Sequence, residues 1–135
     1  AAAAVGGVVL LLGTIVTGSG PHSGDADEPA RFGFDPRSVS WLHADVVLLF
    51  LGLLIGLLVV LVVVHGPARA QRRAWILLAI AVVQGGVGYV QYFAGLPEAL
   101  VMIHVIGATL TWVAVLFIPP ALRTRGVPAP TAETT

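Results

Sequence analysis

Residues 46–64 read VVLLFLGLLIGLLVVLVVV, nineteen positions without an ionisable, amide or hydroxyl side chain. A helix rising ~1.5 Å per residue needs ~20 apolar residues to cross a ~30 Å hydrocarbon core. Carried back to Trp41, the run reaches that length and reads as a transmembrane helix over 41–64, with His43 and Asp45 near its start as its only ionisable members. Working outward, three more runs of the same character lie at about 1–17, 74–94 and 99–118. They are punctuated by Thr17-Gly18-Ser19-Gly20-Pro21, Gly95-Leu96-Pro97-Glu98 and Pro119-Pro120, glycine and proline being the strongest helix stops. The fold class expected is all-α: a polytopic membrane protein built as a four-transmembrane-helix bundle.

Composition agrees with this reading. Apolar residues make up 57% of the chain and charged ones 10%, with a mean hydropathy of +0.95; soluble domains carry roughly 25% charged residues. The chain has no cysteine, which excludes disulfides, thiolate metal sites, thiol nucleophiles and thioether-linked haem within it. Seven basic residues balance seven acidic ones, so nothing draws it to nucleic acid.

The placement of charge predicts orientation. The loop over 18–40 holds Asp25, Asp27, Glu28 and Asp35 against Arg31 and Arg37, a net of about −2, and Glu98 makes the third connection acidic as well. Arg69, Arg72 and Arg73 lie in the second connection, and Arg123 and Arg125 in the tail. By the positive-inside rule both ends of the chain are cytoplasmic, in a multi-pass protein of the cell (plasma) membrane. Trp41, Tyr92 and Phe93 fall at the outer boundary and Trp75 at the inner one, as interfacial aromatics do. Residues 1–121 then form the membrane domain, and the Pro/Thr/Ala-rich 122–135 a disordered cytoplasmic tail. The chain opens AAAAVGG, without an initiator methionine or a basic flank, and reads as a fragment.

Ionisable groups within a membrane helix cost several kcal/mol and point to function by default. His43 lies about two residues inside the outer end of its span and His104 about six inside the outer end of the fourth, depths that differ by only ~6 Å at ~1.5 Å per residue. Two imidazoles at one level suit either of two roles, interhelical hydrogen bonding or axial ligation of a six-coordinate haem b from opposite faces. Gly107 and Ala108, one turn from His104, would let a porphyrin come close. Gln84, Gly88 and Gln91 form one polar face of the third span, directed into the bundle and able to bond a propionate, a histidine or water. The Gly85-Gly86 pair suits close helix packing, and Gly52 and Gly56 thin the second span. His22 reads as a solvated loop residue and His65 as an interfacial anchor.

Several motifs, in order and correctly spaced, resemble the C-terminal half of haem A synthase, most closely its actinobacterial branch. They are Thr17-Gly18-Ser19-Gly20-Pro21-His22-Ser23-Gly24-Asp25, Trp41-Leu42-His43-Ala44-Asp45, Gly88-Tyr89-Val90-Gln91-Tyr92-Phe93 with Gly95-Leu96-Pro97, and Met102-Ile103-His104 with Gly107-Ala108. The resemblance covers the chain to about Trp112 or Ile118. It implies one half of an eight-helix pseudo-symmetric enzyme, an oxidoreductase that converts the methyl group of haem O to the formyl group of haem A for cytochrome oxidase biogenesis.

In that family the C-terminal half holds haem b as an electron relay, which would make His43 and His104 its axial ligands. Haem O would be bound by the absent N-terminal half, and haem O synthase is an implied partner. The family's catalytic glutamate, three residues before the first histidine of the N-terminal half, is here Ser40, so no catalytic residue is expected in this half. The outer-loop cysteine pair of some relatives is also missing. A stand-alone bis-histidine membrane cytochrome, or a half-size synthase that self-associates, fits the same residues.

Overall fold

The computed structural model describes residues 1–20 and 32–122, and all of their regular structure is helical. Four long helices, α1 (Ala2–Ser19), α2 (Pro36–Val63), α3 (Ala68–Phe93) and α4 (Glu98–Leu116), are followed by a single short one, α5 (Ile118–Leu122). All four, the last counted through α5, are long and apolar enough to cross a membrane. The expectations for His22, the acidic residues 25–28 and the tail from Arg123 onward lie outside the described residues.

Each long helix packs on its sequence neighbours and α1 also packs on α4, which closes a ring. The pairs α1/α3 and α2/α4 make no close backbone approach and therefore form the diagonals. Tight connections after α2 and α3 enforce antiparallel neighbours. On α2, Phe50, Leu54, Leu58 and Leu61 recur every three or four residues and are buried against Ala70, Ala74, Leu77 and Ala81 of α3, together with Val115, Ile118 and Ala121. Leucines from one helix thus fill a groove floored by alanines on the next, which lets the two backbones approach. This core occupies the end of the bundle at the α2–α3 turn, and the histidines lie toward the opposite end. Exposed Leu11, Leu48, Val63, Val83, Phe93 and Leu110 give every helix an apolar outer face, a surface matched to hydrocarbon.

The helices outrun the apolar stretches. α2 starts at Pro36, five residues before Trp41, because Asp35 caps it: its Oδ2 accepts from the Ser38 N–H at 2.9 Å and the Ser38 hydroxyl at 2.6 Å, with Pro36 at the first helical position. These bonds hold the Asp35 carboxyl below its ordinary value. α3 starts at Ala68 and takes Arg69, Arg72 and Arg73 into its first turns, so these arginines are helical and not part of a loop. Arg69 Nε donates to the Ala121 carbonyl at 3.1 Å and Arg73 Nη1 to that of Phe117 at 2.9 Å. The stop expected at Pro119-Pro120 falls instead at Phe117, and the prolines sit in the first turn of α5, where a helix has no use for their missing N–H groups.

The two tight turns are built alike. After α2, Gly66 N–H reaches Leu61 O at 2.8 Å and His65 N–H reaches Val62 O at 3.2 Å, with His65 left-handed at φ 51°. After α3, Leu96 N–H reaches Gln91 O at 2.8 Å and Gly95 N–H reaches Tyr92 O at 3.3 Å, with Gly95 at φ 80°. Paired bonds of this kind satisfy the last carbonyls of a helix. Pro67 and Pro97 then open α3 and α4.

Candidate functional site

His43 and His104 stand on the diagonal helices α2 and α4, and both rings are half-buried within the bundle. Each leans on the helix that precedes its own. His43 rests on α1, where a Cβ added to Gly13 would lie 3.4 Å from its Cε1 and where the Val9 carbonyl faces its ring. His104 rests on α3, where a Cβ on Gly88 would lie 3.2 Å from its Cε1 and where the Gln84 carbonyl faces its ring. Nδ1 of each ring is buried without a hydrogen-bond partner.

Gln84 and Gln91 are half-buried on the inward side of α3, and Oε1 of each is also buried and unpartnered. The Gln84 side chain occupies the space left by buried Gly107, so that glycine serves the α3–α4 contact; Ala108 beside it is half-buried. Glycines expected to thin or pack the helices behave differently. Nothing lies within 4 Å of a Cβ on Gly52, Gly56, Gly85 or Gly86, so none of them makes the close helix contact expected of Gly85-Gly86. The helix-packing contacts fall instead on glycines such as Gly6, against Phe50 and Trp112, Gly7, against Trp112, and Gly13, Gly88 and Gly107. Val9 and Gly13 were not expected at the site. Gly6 and Gly13, seven apart and therefore on one helix face, were the available signal.

Asp45 is exposed, on a different face of α2 from His43. Ser40, three residues before His43, donates its hydroxyl to the Pro36 carbonyl at 2.7 Å. His65 is exposed at the far end of α2. Among the described residues no group of three or more His, Asp or Glu side chains converges as a metal site. A protein-only zinc or iron site usually draws on at least three such ligands. Two inward imidazoles alone suit an iron whose four equatorial positions a porphyrin fills. A ligating imidazole binds iron through one ring nitrogen and turns the other toward an acceptor, a role that the Val9 and Gln84 carbonyls facing the two rings suit.

Compared with family models, curated proteins and solved structures, the chain matches none of them.

Proposed function

We propose that this chain is a membrane-embedded haem b-binding protein in which His43 and His104 supply the two axial ligands, and that it serves as the electron-relaying half of a haem A synthase. One observation carries the reading: two imidazoles on the diagonal helices α2 and α4, both half-buried inside the bundle, each resting on a glycine of the preceding helix with a backbone carbonyl facing its ring. A haem iron with both axial positions filled has no open site for oxygen and passes single electrons. The chain's own residues then hold and shield. The imidazoles would fix the iron, Gln91 would offer its amide to a propionate or ordered water while Gln84 spaces α3 from α4, and the apolar helices keep bulk water away.

The synthase assignment rests on the motif resemblance and on Ser40, whose hydroxyl cannot replace a carboxylate as acid or base. Haem O would then be oxidised in a partner half, in a plasma membrane with both ends of this chain on the cytoplasmic side. The arginines at one end of the bundle and Asp35 and Glu98 at the other support that orientation.

Absorption spectra of the purified chain test the ligation. Sharp reduced bands of six-coordinate haem are expected in the wild type, with haemochrome analysis giving haem b. His43→Ala and His104→Ala should each abolish them. Unchanged bands in either variant would remove that histidine from the ligand set. For the synthase reading, the frame upstream of Ala1 should encode four more spans with a Glu-x-x-His entry.

A further inference from the structure

The two hairpins, α1–α2 and α3–α4, seat their histidines in the same way. In each, the imidazole Cε1 edge meets a glycine of the preceding helix, Gly13 or Gly88. In each, the carbonyl facing the ring belongs to the residue four positions before that glycine, Val9 or Gln84. In an α-helix that carbonyl accepts from the N–H four residues on, so both rings lie against one matching element of backbone, laid bare because the residue has no Cβ. Gly85, Gly86, Gly52 and Gly56 show nothing comparable.

We infer that Gly13 and Gly88 are positioning residues for the paired imidazoles: each notch sets where its ring sits and how its plane is turned toward the centre of the bundle. This rests on the haem reading above and extends it from the ligands to the helices that hold them. The device is duplicated, so α1 and α3, which carry no ligand, each fix one ring. Side-chain contacts that orient a ligating imidazole tune the metal it binds.

The added Cβ defines the test. At 3.2 Å from His104, Gly88→Ala forces the ring to give by a few tenths of an ångström, and Gly13→Ala, at 3.4 Å, is milder. Gly86→Ala, with open space around it, is the control. Electron paramagnetic resonance of the ferric haem and the midpoint potential are measured on the full chain in detergent, with circular dichroism to check the fold. Shifted g values and potential are expected in both notch variants, larger for Gly88→Ala, with Gly86→Ala at wild type. Haem loss confined to the notch variants, at unchanged helix content, supports the same conclusion. If Gly88→Ala fails to fold, the milder Gly13→Ala decides. Notch variants that superimpose on wild type, or a Gly86→Ala that shifts as far, would overturn the inference while leaving the ligands in place. A wild type that binds no haem overturns the ligand reading, and this inference with it.

Discussion

The side chain of Gln84 on α3 fills the space that Gly107 on α4 leaves open, so closely that a Cβ on Gly107 would overlap the amide group. Gln84 is thus held between its backbone carbonyl, which faces His104, and its side chain, which spaces α3 from α4. Gly107→Ala should destabilise the bundle by about 1–3 kcal/mol, the usual effect of overpacking. The added Gln84→Ala should return most of that loss. Unfolding in detergent micelles, run as a double-mutant cycle, should show coupling of about 0.5–3 kcal/mol; additive losses would show that the two side chains do not share the space.

How much of this was legible in the sequence depends on the kind of signal. The four helices follow from apolar runs such as 46–64, long enough for a helix to cross a membrane. Gln84 and Gln91 could be turned inward because a lone polar face on an otherwise apolar helix has one low-energy direction. The packing glycines of α1 and α4 could not be chosen in the same way. α1, α2 and α4 are largely apolar, so no amphipathic pattern fixes their rotation and Gly6 and Gly13 show no inward face until the neighbours are placed, whereas on α3 the polar face already directs Gly88 inward with Gln84 and Gln91. Helix ends were missed for a related reason: Asp35-Pro36 is a cap signal, yet hydropathy ends the span at Trp41, where polarity begins and the helix does not stop.

Asp35 is fully exposed, and its effect works through the first turn of α2. Asp35→Ala should lower stability through loss of the cap, and Asp35→Ser by less. The folded-state carboxyl is held below its ordinary 3.8 by the Ser38 bonds, so the stabilisation is complete above that pH and is lost as pH falls through the lowered value. Acid titration of unfolding should therefore show a wild-type loss on that side that Asp35→Ala lacks.

Arg73 joins the start of α3 to the end of α4. Its guanidinium donates to the Phe117 carbonyl and lies 5.5 Å from the centre of the Phe117 ring. A cation at a helix C-terminus also meets a favourable dipole. Because Arg73 is exposed, Arg73→Ala should cost about 1 kcal/mol, the common worth of a solvated bond and stacking contact. Arg73→Lys keeps the charge and loses the planar face, so it should fall between. Equal stability for lysine and arginine would assign the whole effect to charge.

His65 and Gly95 occupy equivalent left-handed positions in the two tight turns, and only one of them is the residue that conformation favours. A side chain with a Cβ pays roughly 1–2 kcal/mol in the left-handed region, whereas glycine does not. Gly95→Ala should therefore destabilise by about 1 kcal/mol, more because Leu96 beside it is also left-handed at φ 60°. His65→Gly should do the reverse and stabilise by about 0.5–1 kcal/mol, since the exposed imidazole gives up no packing. The same variant also bears on function. If His43 and His104 alone hold the iron, His65→Gly leaves the haem spectrum and content untouched while raising the unfolding midpoint. A loss of the six-coordinate bands on removing His65 would show that a histidine at the other end of α2 is a ligand, and the diagonal pairing of α2 with α4 would then be wrong.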